Sequence, residues 1–173
     1  MIYSAISEFN SSVGERWTEF VSRSGLFHLK EVVSLDQALC PNAISTLVPE
    51  DWEYNVNEDY RIFFFRDLEY LSKRITGRQG VIIVGLLEEP QELDVLKEKQ
   101  HQLIGFDVVD AYCDSSALTN CGDFFDRAFR GEELNSSGLI ARLDRAYEIK
   151  RSLRALYPDE PHADCLVWGV WRT

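Results

Sequence analysis

Three aspartates near the middle of the chain are the residues whose type and spacing best suit chemistry. Asp107, Asp110 and Asp114 follow one another at intervals of three and four residues. Carboxylates gathered at the end of a strand can hold a metal ion, or divide the acid and base roles of a reaction between them. With His101 or His162 close by, they would form a small metal-dependent enzyme, which is the alternative functional hypothesis for this chain.

The same aspartates also have a structural interpretation. Residues 102–112 (QLIGFDVVDAY) carry apolar side chains at both sets of alternating positions, which is typical of an interior strand. A carboxylate on a buried strand costs several kcal/mol unless it is paired or reaches the end of the sheet. We therefore expect one of the three aspartates to anchor the fold. The sequence also lacks a nucleophile elbow, a phosphate-binding glycine loop, a dinucleotide fingerprint and an H-E-x-x-H helix, which favours a non-enzymatic protein.

Cysteine and histidine offer a second route to a metal. Four cysteines are present, and His162 precedes the last of them by three residues; they are Cys40, Cys113, Cys121 and Cys165. Their spacing matches no usual zinc framework, and buried cysteine is commonly a small apolar residue. We predict free thiols, no metal and no other cofactor.

Two further stretches gather small and polar residues without an obvious role in a core. They are residues 115–122 (SSALTNCG) and 161–164 (PHAD). Asn, Asp and Ser side chains bond their own backbone in turns, and His162 would then cap a helix or bond a carboxylate. The pattern favours structural turns over a site.

Three strands are predicted to hold these residues. Residues 80–87, 102–112 and 164–172 are apolar on both faces, which predicts interior strands of one mostly antiparallel sheet. Residues 1–12 show no clear pattern. The whole chain, residues 1–173, is predicted to be a single α+β domain with helices packed on the sheet.

The predicted helices follow from apolar side chains at intervals of three and four. Residues 13–22 form one helix that ends at Gly25, and Pro90 begins another. A helix over 58–76 fits best in the middle of the chain, but a strand at 60–65 followed by a helix capped by Asp67 competes with it. The longest predicted helix covers 138–156, with residues 135–137 (NSS) as its N-terminal cap.

The charge balance restricts the partners. The chain has 18 Lys and Arg against 29 Asp and Glu, a net charge of −11, which disfavours nucleic acid because Lys and Arg supply most phosphate affinity. It lacks an apolar run of the roughly 20 residues that a membrane span needs, and it lacks a secretion signal pattern. We expect a cytoplasmic monomer or weak dimer with no membrane contact and a basic partner.

The acidity is concentrated in a predicted surface loop. Residues 50–59 hold five acids and no base, together with two aromatic residues that suit hot spots against a basic cleft. The predicted partner-binding residues are Glu50, Asp51, Trp52, Glu53, Tyr54, Glu58 and Asp59.

Five blocks carry a family resemblance. They are GFDVVD at 105–110, SALTNCG at 116–122, ELNSSGLI at 133–140, the pair Ala146 and Tyr147, and PDEPHADCLVWGVWR at 158–172. Together they resemble small acidic bacterial immunity proteins of polymorphic toxin systems, including contact-dependent growth inhibition. The similarity covers roughly residues 50–172 and includes no catalytic motif. It implies a cytoplasmic protein that binds one cognate toxin domain, often a nuclease, and blocks its active site.

Overall fold

The computed structural model describes residues 1–56, 62–120 and 122–173, which form an α+β fold. Six strands lie within these residues: β1 (Ile2–Ser7), β2 (Phe9–Asn10), β3 (Glu31–Val32), β4 (Val81–Glu88), β5 (Gln102–Val109) and β6 (Leu166–Arg172). The α-helices of the same residues are α1 (Glu15–Ser24), α2 (Leu68–Arg74), α3 (Glu92–Lys97) and α4 (Leu143–Leu156). The predicted α+β class is confirmed.

The main sheet is antiparallel, with the strand order β1-β4-β6-β5. Strands β4 and β6 are interior, as predicted from their apolar faces. Strand β5 is buried on both faces but is last in the order. Short bridges cover its outer edge: Phe106 and Ile140 exchange two backbone hydrogen bonds, and the Ala117 amide donates to the Val108 carbonyl. The prediction that residues 102–112 form an interior strand is therefore wrong: β5 is an edge strand whose two faces are both covered.

Glycines on β4 and β6 leave room for the large side chains of the last strand. Trp168 and Trp171 are fully buried, and the ring of Trp171 lies directly over Gly169. A Cβ atom at Gly169 would lie 2.5 Å from that ring. Gly85 on β4 is paired with Trp171 across the ladder. The G-x-W spacing of β6 is thus a packing requirement.

The helices cover the sheet through short apolar stripes. Ala146, Ile149 and Leu153 of α4 are buried in the main core, and α4 contacts β5 and β6. Leu71 of α2 lies in a smaller cluster with Ala5 of β1. These two contacts place α4 and α2 against different strands of the sheet.

Helix α4 begins at Leu143, so the predicted start at residue 138 is wrong. Asn135 does not cap the helix. Its side-chain oxygen accepts from the amides of Ser137 and Leu139, and its amide group donates to the Ile104 carbonyl. This turn places Ile140 beside β5, where it pairs with Phe106. Residues 138–142 are therefore not helical, and Ile140 pairs with the edge of the sheet instead.

In its described part the middle segment has the capped helix of the competing hypothesis, whereas the strand predicted at 60–65 is reduced to isolated bridges at Phe65. Helix α2 begins at Leu68, and the Asp67 carboxylate caps it by accepting from the Tyr70 amide. Phe65 exchanges backbone hydrogen bonds with Tyr3 of β1. Residues 62–65 are not helical, and Phe65 lies beside β1. Residues 58–61 of the predicted helix lie outside the described residues.

The amino-terminal region contains a strand that the sequence did not predict. Strand β1 pairs with β4 over six residues, and Ser4, Ala5 and Ile6 are buried. Helix α1 ends at Gly25, which takes the left-handed conformation expected of a helix stop. None of the helices in the described residues is long and apolar enough to cross a membrane.

Candidate functional site

The predicted acidic loop is a short 3₁₀-helix, Pro49–Glu53, whose outer side is exposed. Trp52 retains 65% of its accessible surface, and Glu50 and Glu53 beside it are exposed. Val48 and Val56, on either side, are also exposed. These five residues, Val48, Glu50, Trp52, Glu53 and Val56, are called the Trp52 surface below. It combines a large aromatic side chain with two valines and two carboxylates.

The inner side of the same segment is held by Asp51, which is fully buried. Its carboxylate accepts from the Val48 amide at 2.8 Å, from the Tyr70 hydroxyl at 2.7 Å and from Arg74 Nε at 3.1 Å. The prediction that Asp51 lies on an exposed loop for a partner to bind is therefore wrong. These three donors engage both oxygens of the carboxylate, so Asp51 holds the segment in place from its inner side.

The ionisation of this group follows from its surroundings. Burial raises the pKa of Asp51, but the hydrogen bonds from Val48, Tyr70 and Arg74 outweigh burial and hold that pKa below its ordinary value. Burial and the bond to Asp51 raise the pKa of Tyr70 to about 12. At neutral pH the pair is therefore a carboxylate and a neutral phenol.

Tyr54 is half-buried and belongs to the support of the Trp52 surface. Its ring stacks on that of Tyr70, with centroids 3.9 Å apart and planes 13° from parallel. Its backbone carbonyl accepts from the Arg66 amide, and the Val56 amide donates to the Phe64 carbonyl. The segment is thus fixed at both ends. Glu58 and Asp59, the other predicted partner-binding residues, lie outside the described residues.

A spacing of three separates the two sides of this segment. A 3₁₀-helix has three residues per turn, so Asp51 and Tyr54 recur on the inner side, and Glu50 and Glu53 recur on the outer side. Charge alone grouped Asp51 with Glu50 and Glu53. Sequence reasoning also missed Arg74 and Tyr70, which lie on α2 and have no local signal that links them to Asp51.

Two of the three central aspartates, Asp107 and Asp110, have carboxylates that bond the surrounding fold. Asp107 is fully buried, and its oxygens accept from the hydroxyls of Ser34 and Ser116 and from the amides of Leu35 and Val108. This is the anchor that the sequence predicted. Burial raises the pKa of Asp107, even though these four bonds favour the charged form.

Asp110 ends β5 by collecting backbone donors. It accepts from the amides of Tyr112, Asp114 and Ser115, which forms the turn predicted at this point. The charge of Asp110 acts on His162 and opposes the lowering of the His162 pKa by burial. His101, in contrast, contacts Tyr3 on the opposite edge strand. The oxygens of Asp107 and Asp110 are therefore engaged by the fold itself.

The thiols are buried and free where they are described. Cys40 donates to the Val32 carbonyl and Cys165 to the His162 carbonyl, and burial raises the pKa of Cys40, Cys113 and Cys165. Cys121 lies outside the described residues. In the part of the chain that the structure describes, no group of three or more His, Cys, Asp or Glu side chains is arranged to hold a metal ion.

Comparisons of the chain with protein-family models, with curated proteins and with solved structures found no significant match.

Proposed function

We propose that this chain is a non-enzymatic immunity protein that binds a basic, nuclease-type toxin domain in the cytoplasm and blocks its active site. The observation that carries the proposal is the exposed Trp52 between Glu50 and Glu53, on a segment whose inner side is bonded through Asp51 to Val48 and Arg74. The resemblance of residues 50–172 to immunity proteins supports the same conclusion.

The Trp52 surface suits such a partner for three physical reasons. Tryptophan is among the residues most often responsible for binding energy in protein interfaces. The two carboxylates beside it complement the basic cleft that a nuclease needs for phosphate binding, and a net charge of −11 speeds the encounter. The Asp51 network fixes the segment before binding, so less conformational freedom is lost on association.

Co-expression with the product of the neighbouring gene tests whether that gene encodes the toxin and whether this chain neutralises it. The wild-type chain is expected to protect growth and to bind the purified toxin domain. Trp52→Ala is expected to weaken binding by about 30-fold or more, as for a hot-spot residue worth 2 kcal/mol. Phe27→Ala is the matched control, because Phe27 is an aromatic residue 75% exposed outside the Trp52 surface.

The possible outcomes test the proposed function and the proposed interface separately. If the neighbouring gene encodes no effector and the protein protects cells from none, the proposed function is wrong. If protection occurs but Trp52→Ala binds as tightly as Phe27→Ala, the function stands and the Trp52 surface is not the interface. Circular dichroism of both variants confirms that each is folded before binding is compared.

A further inference from the structure

A pocket of about 990 Å³ lies on a part of the molecule that the proposed function does not use. The carboxyl-terminal end of α1 and the residues after it form one wall, and residues 118–120 form a second. Residues 124–132 and the 3₁₀-helix Pro161–Asp164 complete it. The volume is within the range of small-molecule sites. The two polar stretches that the sequence singled out, 115–122 and 161–164, thus contribute to the same pocket.

The apolar lining of the pocket is mainly aromatic. Phe125 is buried and packs edge-on against the His162 ring, with centroids 5.1 Å apart. Phe124 packs edge-on against Phe125 and is 57% exposed. Leu26 and Phe129 are buried beside them. Aromatic edges and faces of this kind suit a flat ring.

Two residues of the pocket lining, Thr119 and His162, each carry a buried polar atom that is unpaired among the described residues. Thr119 is 4% exposed and His162 is 6% exposed. Among the described residues, no hydrogen-bond partner reaches Thr119 Oγ1 or His162 Nε2. A buried polar atom left unpaired costs free energy comparable to a lost hydrogen bond, so both atoms favour a ligand that would pair with them.

The protonation of His162 indicates which kind of group would pair with Nε2. Burial lowers the pKa of His162, and the nearby charge of Asp110 and the backbone of Ser115, which raise it, do not compensate. The ring is therefore neutral at neutral pH, and a neutral imidazole has one N–H donor and one lone-pair acceptor. With the lone pair on Nε2, this unpaired atom requires an N–H or O–H donor.

The charges around the pocket are nearly balanced. Arg23 and Arg130 are exposed on its lining, as are Asp126 and Glu132, and Glu160 is half-buried. Two cations against three anions give no strong preference for a charged ligand. We propose that the pocket binds a small uncharged aromatic molecule whose N–H or O–H group donates to His162 Nε2, with Thr119 Oγ1 as a second hydrogen-bonding group.

Indole and 1-methylindole form a matched pair of probes for this site, because they share a ring system and differ in the N–H donor. Titration of the full chain by NMR is expected to shift the His162 ring signals and the Thr119 methyl signal with indole. Indole is expected to bind roughly tenfold more tightly than 1-methylindole, the effect of one buried hydrogen bond. His162→Phe keeps a ring of similar size and is expected to remove this preference.

Two results would overturn the proposal. One is equal affinity of the wild-type chain for indole and 1-methylindole, and the other is indole binding that leaves His162 and Thr119 unshifted. If His162→Phe fails to fold, the wild-type comparison still decides. Thr119→Val keeps the shape of the side chain and removes its hydroxyl, and it is expected to retain the preference for indole, because the single N–H group of indole is donated to His162.

Discussion

Asp51 is the residue whose role differs most from what its sequence neighbourhood indicates. It lies between the exposed residues Glu50 and Trp52. Its own carboxylate, however, is buried and accepts hydrogen bonds from Val48, Tyr70 and Arg74. A buried carboxylate with several donors fixes those donors in place, and its loss leaves them unpaired. The exposed charges of Glu50 and Glu53 therefore depend on a buried one for their positions.

Replacing Asp51 should reduce stability, whereas replacing its neighbour should not. Asp51→Asn keeps the shape of the side chain but places an amide group among donors, and we expect a loss of about 1–3 kcal/mol in the free energy of unfolding. Glu50→Gln is exposed and is expected to change stability by less than about 0.5 kcal/mol. Urea denaturation measures both, and equal stability of the two variants would contradict the structural role of Asp51.

The pKa of Asp51 also gives a pH dependence with a definite sign. Because the folded-state pKa is lowered, the unfolded chain binds more protons between the two pKa values, so stability falls as pH falls through that window. The stability difference between wild type and Asp51→Asn should be full at neutral pH. It should shrink as pH falls below about 4, the ordinary pKa of an aspartate.

NMR titration of the Asp51 carboxyl carbon tests this directly. Tyr70→Phe removes one hydrogen bond to the carboxylate and is expected to move the pKa of Asp51 upward. A wild-type pKa at or above the ordinary value would show that burial, and not the hydrogen bonds, dominates at this residue.

At the scale of the elements, the carboxyl-terminal strand is the most demanding part of the fold. Strand β6 lies between β4 and β5 and carries Trp168 and Trp171, both fully buried. Burial of one large apolar side chain stabilises by about 1.5–3 kcal/mol, and the total stability of a domain is about 5–15 kcal/mol. Two ladders of backbone hydrogen bonds are also lost if β6 is removed.

A chain that stops at Asp164 should consequently be unfolded or insoluble. Removal of Thr173 alone is the control, because that residue is exposed and follows the last ladder pair. Circular dichroism and one-dimensional NMR distinguish the two. A folded chain lacking β6 would mean that β4 and β5 pair without it and that β6 is not central to the sheet.

The elements that the sequence predicted well are those determined by local pattern. The apolar run with Trp168 and Trp171 identified β6, and the stop at Gly25 identified the end of α1. The start of α4 was wrong because Asn135 bonds Ile104, a contact between residues 31 positions apart. Strand β1 was missed because its pairing with β4 spans about 80 residues, and Ser4 interrupts its apolar pattern.

The candidate site was predictable only in part, for a similar reason. Trp52, Glu50 and Glu53 were identified by type, and their exposure agrees with a surface location. The burial of Asp51 depends on Tyr70 and Arg74, about 20 residues away, and charge carries no information on that contact. The pocket at His162 likewise requires segments that are distant in sequence to meet.

For the whole molecule, net charge and local charge make separable contributions to partner binding. Neutralising any two acids changes the net charge from −11 to −9 and weakens the overall attraction for a basic partner. Carboxylates within the interface also attract the partner at short range. The salt dependence of the association rate measures this contribution. Two pairs of glutamates allow the effects to be compared: Glu50 and Glu53 on the Trp52 surface, and Glu15 and Glu19, which are exposed on α1.

The double variant Glu50→Gln/Glu53→Gln should slow association with the toxin domain by roughly threefold or more at low ionic strength, and the difference from wild type should disappear near 1 M salt. Glu15→Gln/Glu19→Gln has the same net charge and should retain most of the wild-type association rate. Stopped-flow fluorescence over a salt series measures both. Equal slowing in the two variants would show that overall charge alone steers the encounter, and the Trp52 surface would then lose its electrostatic support.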